Sequence, residues 1–294
     1  MGEKEIATVV QIKKAVAAVK AERPAYEEIL DFYEKLFLAQ EEAKGRVQIE
    51  PIQIPEKLLS VKREEKFPLI DKADFAVDIS ASEALLRKIC RLAIEANEVL
   101  AEAVPKIVDA LDKGTLGASA LFSKILGEDD AYFDEAARNL ETDKKILAFV
   151  AYFSMKPSIS LCAEQLATYL DKETPWEKGY CPICGSPPAL SILRDEGARF
   201  LLCSFCGREW QTTRIYCPFC NNNDQNTLHY FFSEEEKDYR VNVCDECKKY
   251  IKTVDTRKMK RPVDPFVEQI STLHLDLLAQ EQGLESGIPI WLQM

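Results

Sequence analysis

Apolar side chains recur at helical spacing from Glu3 to Lys20, and Pro24 is placed to open a second helix at its first turn. That helix carries Tyr26, Ile29, Leu30, Tyr33, Leu36 and Phe37 as a wide apolar stripe that runs out near Gly45. Arg46 to Leu69 has Pro51, Pro55 and Pro68 among charged residues and reads as an extended connection lying over the helices. Ser80-Ala81-Ser82-Glu83 has capping-box spacing ahead of Leu85, Leu86, Ile89, Leu92, Ala93 and Ala96, which predicts an amphipathic helix. Pro105 is expected to kink or end it, with a turn at Gly114 and Gly117. Shorter helices are predicted over Ala118 to Leu126, Asp130 to Asn139, Asp143 to Phe153 and Ser160 to Leu170. Residues 1–172 are therefore expected to form an all-α domain, a compact irregular bundle.

Lys172-Glu173-Thr174-Pro175 marks a boundary, because past it the hydrophobic period shortens. Ala189 to Leu193, Arg199 to Leu202 and Trp210 to Tyr216 read as strands, the first two around Asp195-Glu196-Gly197. The pattern returns as Thr227 to Ser233, a solvated acidic turn at Glu234 to Asp238, Tyr239 to Val243 and Tyr250 to Val254. Pro265 opens a final helix through Gln282, capped by Gly283. The expected class is α+β: a helical domain, two small ribbon units at 173–213 and 214–262, and a terminal helix and tail at 263–294.

Those ribbons carry the chemistry. Eight of the ten cysteines fall into four C-x-x-C pairs, in CPICG, CSFCG, CPFCN and CDECK. A C-x-x-C turn aims two thiolates at one cation, and two such turns close a tetrahedral site. Taken in order, Cys181, Cys184, Cys203 and Cys206 form one candidate site, with 18 residues between the pairs. Cys217, Cys220, Cys244 and Cys247 form the second, with 23. Tyr180-Cys181-Pro182-Ile183-Cys184 returns as Tyr216-Cys217-Pro218-Phe219-Cys220, so the two units read as tandem copies. Each is near the roughly 40-residue size below which a core alone rarely suffices, so metal is expected to supply folding free energy. Two ions are expected, and four thiolates suit either iron or zinc.

Four such pairs in hairpin surroundings, behind a start without a secretory signal, argue against a disulfide framework and against one thioredoxin-like pair. Cys90 and Cys162 lie on predicted helices and read as small buried hydrophobes. No run of 18 or more apolar residues occurs, so no membrane insertion is expected.

Formal charge is −11, from 38 basic and 49 acidic residues. Between Trp176 and Arg261 the count is 14 basic to 12 acidic, so the negative excess lies in the helical part. Lys248, Lys249, Lys252, Arg257, Lys258, Lys260 and Arg261 cluster near the last pair, and Trp210, Phe231 and Tyr250 offer stacking faces. A pI near 5.0 argues against nucleic acid, leaving this basic patch to contact the chain's own acids. A site filled by four protein ligands has no position open for water, which argues against hydrolytic zinc chemistry. His229 and His274 sit apart and read as ordinary residues. Phosphate loops, nucleophile elbows and H-E-x-x-H are absent from the sequence, so no enzyme is expected.

The cysteine half resembles the formate dehydrogenase accessory protein family, FdhE. The resemblance rests on YCPICGSPP at Tyr180 to Pro188, LLCSFCGREWQTTRIYCPFC at Leu201 to Cys220, VNVCDECKKYIKTVD at Val241 to Asp255 and LHLDLLAQEQG at Leu273 to Gly283. RPAYEEILDFYEKLF at Arg23 to Phe37 is similar but less specific. The resemblance implies a cytoplasmic, non-catalytic maturation factor that binds the catalytic subunit of a formate dehydrogenase, which carries molybdenum or tungsten and an iron–sulfur cluster. It implies metal, thought to be iron in a rubredoxin-like setting, on all eight paired cysteines. A rubredoxin-like electron-transfer protein and a zinc-ribbon nucleic-acid module are the alternatives, and homo-oligomerisation stays open. GIPIWLQM at Gly287 to Met294 departs from the Asn-Pro-containing ending associated with the family, and His274 matches no functional histidine of it.

Overall fold

A computed structural model of the chain describes residues 3–171, 176–233 and 236–289. The helices are α1 (Glu3–Glu22), α2 (Glu27–Lys44), α3 (Glu56–Glu64), α4 (Ile79–Ile94), α5 (Glu98–Asp112), α6 (Ala118–Leu126), α7 (Asp130–Asn139), α8 (Lys144–Leu166), α9 (Pro265–Ile270) and α10 (Leu273–Glu281). The strands are β1 (Pro188–Arg194), β2 (Ala198–Cys203), β3 (Glu209–Thr212), β4 (Leu228–Phe231), β5 (Tyr239–Cys244), β6 (Lys249–Asp255) and the short β7 (Glu285–Ser286). The helical N-terminal region followed by a sheet region is the α+β order that the sequence predicts. The expected boundary at Lys172-Glu173-Thr174-Pro175 lies outside the described residues, as do Glu234 and Glu235 of the acidic turn and residues 290–294 of the tail.

Two compact units are present: Met1–Ile52 with Lys72–Cys162, and Gln53–Asp71 with Ala163–Met294. In the first, α1, α2, α4 and α5 pack in succession. The apolar stripe on α2 buries Leu30, Tyr33, Leu36 and Phe37. Tyr33, beside Phe37, meets Phe149 and Phe153 of α8 in an aromatic cluster, with the two α8 rings 4.5 Å apart.

Three helix boundaries differ from the sequence reading. Helix α4 is capped by Asp78, whose carboxylate accepts from the Ala81 N–H at 2.9 Å, so it begins ahead of the Ser80 box. Pro105 sits inside α5, which starts afresh behind an Asn97 cap. The helices predicted at Asp143 to Phe153 and Ser160 to Leu170 are one, α8, running through Pro157. Its continuation to Tyr169 is the one helix among the described residues long and apolar enough to cross a membrane, and 78% of its most apolar window is buried inside the protein.

In the second unit the two predicted ribbons form one sheet, in the order β3-β2-β1-β6-β5-β4. Each copy is an antiparallel meander, and the copies join where β1 runs parallel to β6, Ser191 opposite Thr253. One face, with Leu190, Ile192, Leu202, Tyr239, Val241, Val243 and Val254, is packed against Leu275 and Ala279 of α10. The predicted terminal helix breaks at Ser271 and Thr272, whose hydroxyls donate to the Glu268 carbonyl. Buried Lys252 reaches the break and donates to the carbonyls of Gln269 and Thr272 and to Asp276.

Candidate metal centres

Four short turns carry the eight cysteines, and each resolves the same backbone problem. The residue after the second cysteine is left-handed in all four: Gly185 (φ 70°), Gly207 (φ 75°), Asn221 (φ 60°) and Lys248 (φ 57°). That conformation folds the chain back, so the N–H of Gly185, Asn221 and Lys248 donates to the carbonyl of Cys181, Cys217 and Cys244 at 2.9, 3.0 and 2.9 Å. Glycine and asparagine tolerate it best, and Lys248 is the departure. Backbone donors are left aimed at sulfur: Ile183 N–H at Cys181 Sγ (3.4 Å), and Phe205 and Cys206 N–H at Cys203 Sγ (3.4 and 3.3 Å).

The turns meet in the pairs that sequence order predicts. Cys181, Cys184, Cys203 and Cys206 come together, and separately Cys217, Cys220, Cys244 and Cys247, each set with sulfurs within 4.8 Å of one another. Sγ–Sγ distances of 3.5 Å for Cys181–Cys206 and Cys184–Cys203 are too long for a bond, as are 3.6 Å for Cys217–Cys247 and 3.7 Å for Cys220–Cys244. They approach the edge, about 3.8 Å, of a tetrahedron with metal–sulfur bonds of about 2.3 Å. Burial pushes the Cys181 and Cys206 thiols well up, so they resist ionising until a cation replaces their protons. The donor set therefore fits zinc or iron.

The two sites differ in access. All four cysteines of the first are buried, whereas Cys220 is exposed and Cys247 half-exposed in the second. At Cys244 burial raises the thiol, but donation from the Asn222 amide (3.4 Å) and from the N–H groups of Cys247 and Glu246 prevails and brings it to about 7. The turns also touch: a Cβ at Gly179 would lie 1.9 Å from the Pro218 carbonyl oxygen.

Sequence reasoning missed how the first site is held. Residues expected to lie over the helices instead clasp it: the N–H groups of Leu69 and Ile70 donate to the carbonyls of Pro182 and Ile183, both at 3.0 Å. Tyr180 Oη donates to the Lys66 carbonyl at 2.9 Å. The stretch read as extended in fact contains helix α3 at Glu56–Glu64, and it is the chain leaving that helix that carries the clasp.

Other candidate residues lie elsewhere. His229 faces Asp245 at 3.3 Å and His274 meets Glu236 at 2.7 Å, and neither is one of the clustered ligands. Four cations of the basic cluster engage nearby acids: Lys248 with Asp245, Lys252 with Asp276, Arg257 with Asp255, and Arg261 with buried Glu268. Trp210 and Tyr250 are core residues, correcting the expectation that they present stacking faces.

Comparison with known proteins places residues 180–214 in "FdhE, central domain" and residues 215–290 in "FdhE, C-terminal domain". A "Protein FdhE homolog" of Aquifex aeolicus is 42% identical over 133 residues, covering 42% of this chain and 47% of that protein. Another from Haemophilus ducreyi is 29% identical over 167 residues, covering 54% of this chain and 52% of the relative. The matched stretch thus spans about half the length of these curated relatives. The crystal structure of the FdhE protein from Pseudomonas aeruginosa superposes with a TM-score of 0.65 at 20% identity, over 97% of this chain and 95% of that one, and has the same fold.

Proposed function

The chain belongs to the FdhE family, and on that footing we propose that it is a non-catalytic accessory factor that binds the catalytic subunit of a formate dehydrogenase and supports its maturation in the cytoplasm. The observation that carries this reading is a pair of four-sulfur sites in the matched segment, each filled by protein ligands. Cys181, Cys184, Cys203 and Cys206 would hold one ion, and Cys217, Cys220, Cys244 and Cys247 the other. A bound ion supplies cross-linking of its two turns and, if it is iron, a one-electron couple. The backbone N–H groups hold the sulfurs in place, and the surrounding burial keeps bulk water from the first site. What remains for function is recognition by a fixed surface.

The test is anaerobic purification of the tagged protein from its own host, with stoichiometric companions identified by mass spectrometry. Recovery of a formate dehydrogenase catalytic subunit is expected, with loss of capture when either site is dismantled. A stable metal-free variant that still captures the subunit overturns the role given to the sites. Absence of the subunit from the capture while it is expressed overturns the client.

A redox reading is favoured by one specific observation, the exposure of Cys220. It requires iron in the second site and predicts a visible spectrum that bleaches reversibly with reductant. Colourless, zinc-filled protein from iron-replete anaerobic cells excludes it.

A further inference from the structure

The sheet face turned away from α10 bears a row of polar side chains: Arg199 on β2, Ser191 on β1, Thr253 on β6, and Arg240 and Asn242 on β5. Arg199, Arg240 and Asn242 of this face, together with the chain from Arg214 to Phe219, line a cleft of about 390 Å³, within the range of small-molecule sites. Its charge is one-sided. Arg199 is 5% exposed, and its guanidinium donates to the Ser191 hydroxyl and to the carbonyls of Arg214 and Tyr216, with no carboxylate among the described residues hydrogen-bonded to it. Burial brings it down to about 10. Burial also lowers Arg240; Asp255 opposes that shift, while Arg214 and Arg257 add repulsion. Arg214 and Arg257 each place a guanidinium nitrogen within 3.5 Å of a Cβ built at Gly197. The nearby acid, Asp255, gives both oxygens to Arg257, at 2.8 and 2.5 Å.

Among the described residues, three buried polar atoms lack a hydrogen-bond partner on this same face: Arg240 Nε, Asn242 Oδ1 and Thr253 Oγ1, with Arg240 directly opposite Thr253 in the sheet. Several guanidinium groups sharing the one acid Asp255, beside orphaned donors and acceptors, are costly unless something anionic and hydrogen-bonding completes them. The cations are held on ring faces, Arg199 5.6 Å from the Tyr216 centroid, Arg240 5.0 Å from Tyr230 and Lys249 6.0 Å from Phe219. They are thus fixed before any ligand arrives.

We propose that this cleft binds a phosphorylated small molecule of nucleotide size, its phosphates on Arg214 and Arg240 over the buried charge of Arg199, and its planar polar edge on the Asn242 amide. Guanidinium forks match phosphate oxygens two by two, and a side-chain amide matches the paired donor and acceptor of a heterocycle. The site is separate from the docking role, so each can fail without the other.

The test is calorimetric titration of the intact metal-loaded protein with GDP, ADP, pyrophosphate and guanosine, at low and at high salt. A nucleoside diphosphate is expected to bind, more weakly at high salt, with guanosine and pyrophosphate each at least ~10-fold weaker. Arg240→Gln and Arg214→Gln should each weaken it ~10-fold or more with metal content unchanged. If Arg240→Gln loses metal, Arg214→Gln at the cleft rim decides alone. No binding at millimolar nucleotide in low salt overturns the proposal, as does undiminished binding by a metal-replete Arg214→Gln protein. Pyrophosphate binding as tightly as nucleotide overturns the assigned ligand class.

Discussion

The side-chain amide of Gln40 donates to the main-chain carbonyl of Phe153 at 2.7 Å, four residues before Pro157 in α8. Proline has no N–H, so that carbonyl lacks its helical partner, and a buried side chain from α2 replaces it. Gln40→Leu keeps the volume and leaves the carbonyl bare. We expect a loss of about 1–3 kcal/mol in urea unfolding, and a smaller loss in a Pro157→Ala background, where residue 157 can donate. Equal losses in both backgrounds would show that Gln40 acts by packing.

Exposure of Cys220 against burial of the whole first site predicts two-step metal release. A chelator should strip the second site first, about tenfold faster or more, and Cys220→Ser should leave a single slow ion. Stopped-flow release into a coloured chelator reads both phases; one shared rate in the unaltered protein contradicts the asymmetry.

Lys248 occupies a left-handed position that glycine holds in the two turns of the first site. Lys248→Gly should relieve about 1 kcal/mol of strain, partly offset by a looser unfolded chain, and raise the melting temperature of the loaded protein. Gly207→Ala should lower it by a comparable energy.

Gly179 lies against the main chain at Pro218, and backbone cannot step aside as a side-chain tip can. Gly179→Ala should cost about 2 kcal/mol or more and reduce metal content at both sites, measured by elemental analysis per chain. Full loading of both sites would mean that the turns move apart freely.

Burial raises Cys90 and Cys162 to about 11. A thiol raised in the folded state contributes stability that is complete below its unfolded pKa and is lost as pH climbs to the folded value. The window is therefore about pH 9 to 11, with a loss of up to ~2–3 kcal/mol for each thiol. Cys90→Ala/Cys162→Ala protein should show a flatter alkaline limb in unfolding against pH, whatever its absolute stability. An unchanged slope would refute the assignment.

Local signals carried much of this molecule. The α2 stripe and the C-x-x-C turns are written within a few residues, so their elements and partners follow from spacing. Long-range compensation was not legible. Pro157 reads as a stop until Gln40 is known to be there, and Asp78 caps α4 from beyond the Ser80 box. The strap at Leu69 and Ile70 is read correctly only with the Pro182 and Ile183 carbonyls in view. The arginine cleft gathers residues from four strands and a loop, a neighbourhood that no sequence window contains.

The parallel joint between β1 and β6 sets a timetable for synthesis. Ser191 waits for Thr253, about 60 residues later, so at usual translation speeds β1 leaves the ribosome several seconds before its neighbour exists. During that interval the first turn pair can already hold an ion while β1 still offers an open, apolar edge. Early metal capture would steady the nascent half through that exposure, which makes the supply of metal during translation a determinant of how much chain reaches the finished sheet.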